Sequence, residues 1–130
     1  HPSHVEWCDL NADGWLDAVV SDLGTFQPAD HMLGGVSWLA GSAEGLQPPR
    51  TLAFGLGRVS ETRAADVDAD GRLDLLVAEF GWQKTGQVLL LKASGEGSGS
   101  LSFEKRVLDP RHGAIRVPPI DLNGDGAIDF

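Results

Sequence analysis

The sequence predicts an all-β protein built from repeated four-stranded antiparallel sheets. An Asp-rich pattern of nine residues occurs three times, beginning at Asp9, Asp66 and Asp121, at intervals of 57 and 55 residues. The apolar runs between these patterns are short, rich in Val and Leu, and bounded by Gly, Pro or Asp, which favours strands over helices. Four such runs fit into each interval. A period of this length with four strands matches a β-propeller blade better than a sandwich, so we expect a partial β-propeller.

The first repeat unit is predicted to span residues 1–57 and to form the first blade. Its apolar runs predict four strands, at residues 5–8, 18–21, 36–40 and 51–54. The first Asp-rich pattern lies between the first two strands. We therefore expect it to be a loop that connects neighbouring strands of one sheet.

The second unit is predicted to span residues 58–111, and the third begins at residue 112 and runs to residue 130. Strands of the second blade are expected at residues 59–65, 75–79, 87–92 and 102–108. The Gly- and Ser-rich tract 94–100 has the composition of an interdomain linker. Since it lies between two strands of one repeat, we interpret it as a hairpin loop.

The similarity between the units extends beyond the Asp-rich patterns. Thirteen residues after each opening Asp comes an acidic residue followed by an apolar residue and Gly, as Asp22-Leu23-Gly24 and as Glu79-Phe80-Gly81. The third unit contains the Asp-rich pattern but not the strand that would follow it. We therefore expect the remaining blades of the propeller to come from a longer polypeptide or from other copies of the chain.

Composition and charge limit the classes of function. The chain is 42% hydrophobic, which is typical of a folded domain, and no apolar run approaches the roughly 20 residues of a membrane span. The formal charge of −9 would repel nucleic acid. More than half of the acidic residues belong to the three patterns. Carboxylates packed this closely repel one another unless cations lie among them, so the acidity indicates bound metal.

Each pattern offers oxygen atoms at positions 1, 3, 5 and 9 and a backbone carbonyl at position 7, a ligand set that suits a hard cation such as calcium. Gly at position 6 permits the positive φ that folds the loop back on itself. The apolar residue at position 8 is expected to anchor the loop in the core. The candidate ligands are Asp9, Asn11, Asp13, Trp15 and Asp17; Asp66, Asp68, Asp70, Arg72 and Asp74; and Asp121, Asn123, Asp125, Ala127 and Asp129.

The alternatives are a magnesium site, an EF-hand and a metal-free turn. Magnesium requires smaller, octahedral and more hydrated sites. An EF-hand would need an acid at position 12, where this chain has Val20 and Val77, and would need flanking helices. Metal-free turns use the same Asp, Asn and Gly residues, but three complete copies of the oxygen pattern favour calcium. By number of carboxylates, the loop that begins at Asp66 is expected to bind most tightly, because the other two have Asn at position 3.

With these loops and this spacing, the chain resembles the FG-GAP and VCBS repeat family, which includes the integrin α-chain propeller. The resemblance implies calcium on the loop residues named above, and a secreted, extracellular or periplasmic location. Phe54-Gly55 and Phe80-Gly81 match the first part of the family motif, but no Gly-Ala-Pro follows either pair. This departure favours the VCBS-like branch and weakens any inference about cell adhesion.

The remaining residues favour a binding or structural module, for a glycan or protein ligand, over an enzyme. The alternative is a part of a propeller-based polysaccharide-active enzyme, which would need catalytic groups beyond the calcium ligands. No Ser/His/Asp or Cys/His set can be identified from the sequence, so we predict no catalytic residues. Trp15 and Trp82 are the candidate ligand contacts, whereas Trp7 and Trp38 are assigned to the core. The single cysteine, Cys8, is expected to fill a small buried space.

Overall fold

The computed structural model describes residues 1–95 and 101–129, which form eight β-strands. Residues 96–100, which make up most of the predicted hairpin loop 94–100, lie outside the described residues, as does residue 130. The strands are β1 (Pro2–Cys8), β2 (Asp17–Asp22), β3 (Gly34–Leu39), β4 (Arg50–Leu56), β5 (Val59–Ala65), β6 (Asp74–Glu79), β7 (Gln87–Ala93) and β8 (Phe103–Asp109).

The strands form two four-stranded antiparallel sheets, each in sequence order, β1-β2-β3-β4 and β5-β6-β7-β8. The predicted fold class, all-β blades of a partial propeller, is confirmed. Each predicted strand overlaps an observed one, and β5 has the predicted bounds. Several others extend further than predicted, because backbone pairing continues through polar and Gly residues such as Ser3 and Gly34 that apolar runs do not mark. The predicted unit boundaries at residues 57/58 and 111/112 fall in connections between elements and stay predictions.

The second sheet packs against one face of the first and buries a shared apolar core. Val19, Val36 and Trp38 of the first sheet meet residues of the second such as Leu75 and Leu89. The indole of Trp38 is only 4% exposed, as predicted. Burial of apolar side chains stabilises the pair by about 1.5 to 3 kcal/mol for each large residue.

The other face of the second sheet is covered by the beginning of the third unit. Val117 is buried against Leu76, Ala78 and Leu90. Further along this segment, Ile120 pairs with Asp129 in an isolated antiparallel bridge. In the two complete sheets the equivalent pairs are Cys8 with Asp17 and Ala65 with Asp74, each joining the first two strands. The segment therefore begins a third unit of the same design, and β6 is fully buried because neighbours cover both of its faces.

A repeated serine contact also joins consecutive units. The hydroxyl oxygen of Ser3 lies 2.7 Å from the carbonyl oxygen of Val59, and that of Ser60 lies 3.1 Å from that of Ala114 and 3.0 Å from that of Ile115. Ser3 and Ser60 occupy equivalent positions, 57 residues apart, on the first strand of their sheets. The same contact thus links the first strand of one unit to the start of the next.

Two side chains predicted to be buried are exposed. Trp7 was assigned to the core but is 57% exposed, and Leu16 at position 8 of the first loop is 64% exposed. Trp7 lies on the face of the first sheet that points away from the second. No element in the described part of the chain covers that face, which is why an apolar residue in a strand is accessible here. In the second loop the equivalent of Leu16, Leu73, is packed against the shared core as predicted.

Two further features concern Cys8 and the membrane. Burial, with nearby Asp17 as a smaller contribution, raises the pKa of the Cys8 thiol to about 12, so the thiol is protonated and behaves as a small apolar side chain. Within residues 1–95 and 101–129, no helix has the length and apolarity that crossing a membrane requires.

Candidate metal centres

The three Asp-rich loops adopt the same backbone turn, in which positions 4 and 6 both have positive φ. At position 6 the φ values of Gly14, Gly71 and Gly126 are 90°, 84° and 88°, as the sequence predicts. At position 4 the values are 57° for Ala12 and for Ala69, and 76° for Gly124. Left-handed backbone is uncommon for alanine, so position 4 carried no recognisable signal in the first two loops.

The carboxylate at position 1 closes each loop through backbone N–H groups. Oδ1 of Asp66 accepts from the amide of Asp70 at 3.0 Å, and Oδ2 accepts from that of Gly71 at 2.8 Å. The same two bonds occur at Asp9 and at Asp121, with donors four and five residues further on. The carboxylate at position 1 therefore orders the loop without an ion.

In the first two loops the carboxylate at position 9 is buried and connects the loop to its sheet. Oδ2 of Asp17 accepts from the amide of Leu10 at 2.9 Å, and Oδ1 accepts from that of Gly41, just beyond β3, at 2.7 Å. Asp74 repeats both bonds, with donors Val67 at 3.2 Å and Ala93 at 2.7 Å.

In the third loop, Asp129 accepts a hydrogen bond from the amide of Leu122 at 3.0 Å, which corresponds to the bonds from Leu10 and Val67 in the other two loops. The sequence predicted position 9 only as a metal ligand. Its role in satisfying two backbone amides was missed, because the second donor lies about 20 residues away.

Positions 3 and 5 differ between the loops. In the first and third loops the amide of Asn11 or Asn123 donates to the position-5 carboxylate, at 2.8 Å and 2.9 Å. In the second loop, position 3 is Asp68, which is paired with the ammonium of Lys92. Position 5 of that loop, Asp70, is paired with the guanidinium of Arg72 at 2.6 Å.

Three of these carboxyl groups have a lowered pKa. The guanidinium of Arg72 lowers the pKa of Asp70 below its usual value. Backbone N–H donors, first that of Gly126, lower the pKa of Asp121, and the amide of Ala127 does the same for Asp125. These groups are therefore ionised at neutral pH, the form in which a carboxylate binds a cation.

The second loop has the dimensions of a cation site. One oxygen from each of Asp66, Asp68 and Asp74 lies within 4.8 Å of the other two, a grouping found nowhere else among the described residues when only Asp, Glu, His and Cys are considered. Two oxygens bound to one calcium ion at 2.3 to 2.6 Å are at most about 5 Å apart, so the spacing fits. The hydrogen bonds to Asp74 leave lone pairs on both of its oxygens, since each carboxylate oxygen carries two.

The two tryptophans predicted to contact a ligand lie at opposite ends of the sheets. Trp15 is 49% exposed and belongs to the loop before β2, whereas Trp82 belongs to the connection after β6. Trp15 lines an open groove of about 450 Å³ together with Trp7, Leu16 and Leu46. The structure therefore does not bring Trp15 and Trp82 into one site, and it adds Trp7, which the sequence had assigned to the core.

A comparison with known protein families matches residues 66–130, half of the chain, to the FG-GAP-like repeat. The matched residues begin at the second Asp-rich loop and include the third. No curated protein and no solved structure shows significant similarity to the chain. The repeated loops, the four-stranded sheets and this match agree, and the chain belongs to the FG-GAP-like repeat family.

Proposed function

We propose that the chain is a calcium-binding β-propeller module, with one ion in each of the three Asp-rich loops. The observation that carries the proposal is the second loop, where three carboxylate oxygens lie within 4.8 Å of one another. The first and third loops have the same backbone turn and the same hydrogen bonds to the position-1 carboxylate, and in both the position-9 carboxylate accepts from the amide of position 2. Side-chain oxygens from positions 1, 3, 5 and 9 and the carbonyl of position 7 would hold each ion.

Calcium would serve a structural role in this module. Each loop joins the first two strands of a unit, and in the second loop three carboxylate oxygens lie within 4.8 Å of one another. A divalent cation removes the repulsion between those oxygens. An ion bound only by the folded chain also stabilises it by mass action. Moderate-affinity oxygen sites fill at extracellular calcium concentrations, so the proposal includes a secreted, extracellular or periplasmic location.

We further propose that this module functions together with additional blades. Support comes from the repeat itself. Val77 and Leu91 in the second sheet are buried against the first sheet, and their equivalents Val20 and Leu39 face away from the second sheet on the same side as Trp7. A neighbouring unit on that face would cover them as the first sheet covers the second. Such a unit would come from the same polypeptide or from another copy.

The proposed role is a binding or structural module for a glycan or protein ligand. FG-GAP-like repeats are in general structural and binding modules rather than catalytic ones. Participation in a polysaccharide-active enzyme is the alternative. Turnover assays on candidate polysaccharides, with and without chelator, separate the two, because the binding module gives no turnover in either condition.

Calcium binding is tested by isothermal titration calorimetry and by thermal unfolding with calcium or with a chelator. We expect saturable binding and a melting temperature several degrees lower in chelator, since about 1 kcal/mol corresponds to a few degrees in a domain of this size. Asp13→Ala removes a ligand at the exposed position 5 of the first loop and should lose part of the calcium effect. Glu44→Ala, an exposed acid in the same unit, is the matched control. Identical melting curves with calcium and with chelator would contradict the proposal.

A further inference from the structure

The second loop differs from the first in the charges around its oxygens. It has four carboxylates, where the first loop has three and Asn11. It also has two basic side chains in contact with those carboxylates, Lys92 on Asp68 and Arg72 on Asp70. The net charge of these side chains is therefore −2 for the second loop and −3 for the first. This net charge favours calcium at the first loop, whereas the number of carboxylates alone favours the second.

The two cations are built into the second unit and have no counterparts in the first. Arg72 is at position 7, where the first loop has Trp15. Lys92 immediately precedes Ala93, whose amide donates to the position-9 carboxylate. In the first unit that amide belongs to Gly41, so the equivalent of Lys92 is Ala40.

Arg72 is also held in place from outside the loop. Its Nη1 donates to the carbonyl of Gly95 at 2.7 Å, while Nη2 donates to Oδ2 of Asp70 at 2.6 Å. Lys92 is carried by β7, a strand of the sheet core. Arg72 is thus held by a contact outside the loop, and Lys92 reaches Asp68 from β7.

We propose that Lys92 and Arg72 are internal counter-cations of the second loop, which keep it ordered without metal and weaken its affinity for calcium below that of the first loop. This inference rests on the proposed function. A calcium ion in the second loop must either displace the two cations from Asp68 and Asp70 or bind beside them. Displacing the cations and binding beside them each cost free energy, and binding to the first loop has no such cost. The first loop is therefore expected to fill at lower calcium concentration.

The test is a calcium titration of the full chain followed by NMR at the amides of Gly14 and Gly71. These amides donate equivalent 2.8 Å bonds to Asp9 and Asp66, so each reports its own loop. In the unsubstituted chain Gly14 should respond first. Lys92→Met should lower the calcium midpoint at Gly71 by about tenfold and leave that at Gly14 unchanged.

Two companion variants sharpen the test. Arg72→Met keeps every proposed ligand atom, because position 7 contributes only its carbonyl, and should also lower the midpoint at Gly71. Trp15→Arg brings the guanidinium to the exposed position 7 of the first loop and should raise the midpoint at Gly14. Lys84→Met, which removes the same charge at the opposite end of β7, is the matched control and should change neither midpoint.

A second measurement needs no calcium. In chelator, Lys92→Met should melt at a lower temperature than the unsubstituted chain, because Asp68 loses its counter-cation; saturating calcium should remove this difference. If calcium shifts both glycine amides but Lys92→Met and Arg72→Met leave the Gly71 midpoint unchanged, the inference is wrong and the proposed function stands. If neither amide responds to calcium in any variant, the proposed function fails and the inference with it.

Discussion

At the scale of single residues, the position-9 aspartates do more than the loop pattern predicts. Asp74 is 1% exposed, and each of its two carboxylate oxygens accepts a hydrogen bond from a backbone amide. The donors are Val67 in the loop and Ala93 at the end of β7. A buried amide without a partner costs about 1 to 3 kcal/mol. Position 9 therefore has a structural role that is independent of calcium.

Asp74→Ala should lower the free energy of unfolding by about 2 to 4 kcal/mol even in chelator, because two amides lose their acceptor. Asp70→Ala in the same loop removes an exposed carboxylate that accepts from the guanidinium and from the exposed backbone amide of Arg72. An exposed ion pair contributes about 0 to 1 kcal/mol, so this variant should change stability little. Urea unfolding in chelator compares the two. A loss for Asp74→Ala no larger than that for Asp70→Ala would contradict a structural role of position 9 that is independent of calcium.

The sequence predicted the place of the loops and the positive φ at position 6 because this pattern is local, and the assignment of the loop residues as calcium ligands stays a prediction. Spacing within nine residues is sufficient to identify positions 1, 3, 5, 6 and 9. It could not reveal the donors from Gly41 and Ala93, or the contact of Lys92 with Asp68, because these partners lie 19 to 24 residues away on another strand. The positive φ of Ala12 and Ala69 was hidden for another reason, since alanine does not mark left-handed backbone.

At the scale of elements, the connections between strands also link the two units. Asp30, in the connection between β2 and β3, accepts from three consecutive amides of the connection between β6 and β7. Its Oδ1 lies 3.0 Å from the amide of Gln83, 2.8 Å from that of Lys84 and 3.1 Å from that of Thr85. The bonds, first that from Lys84, lower the pKa of Asp30 to about 2. Nothing in the repeat pattern marked this residue.

The Asp30 contact should give a pH-dependent contribution to stability. Because the folded pKa of about 2 lies below the unfolded value near 3.9, the contribution is complete above that value and is lost as the pH falls toward 2. Asp30→Asn keeps an acceptor oxygen but removes the charge. Its stability should be lower than that of the unsubstituted chain at pH 7, and the difference should shrink between about pH 4 and pH 2.

Urea unfolding at a series of pH values measures that difference. Lys84→Ala is the control. Lys84 donates to Asp30 through its backbone amide, so removal of its side chain should leave the contribution of Asp30 to stability intact. If the free energy of unfolding differs between the unsubstituted chain and Asp30→Asn by the same amount at pH 2.5 and at pH 7, this interpretation is wrong.

At the scale of the whole molecule, each sheet needs a neighbouring unit on both faces to cover its apolar side chains. The second sheet has both faces covered, and its apolar strands β6 and β7 are accordingly almost continuous hydrophobic runs. The first sheet has one face covered, and its other face carries accessible apolar side chains. The sequence predicted that further blades are needed, but it assigned Trp7 to the core, because a strand pattern cannot show whether a neighbour is present to cover a given face.

The accessible face predicts the behaviour of the 130-residue chain in solution. Val5, Trp7 and Phe54 lie on this face, and Phe54 is 69% exposed, so a large apolar surface is open to any complementary partner. We expect the chain to associate at micromolar concentrations, giving a light-scattering mass above the 13.8 kDa of one chain. Replacing Trp7 and Phe54 by Lys should place charges on the face and return the chain to a monomer, with its strand content retained by circular dichroism. Trp82→Lys, which removes an exposed tryptophan elsewhere, should leave the association unchanged. A monodisperse 13.8 kDa particle from the unsubstituted chain would show instead that this face is stable in water without a neighbouring unit.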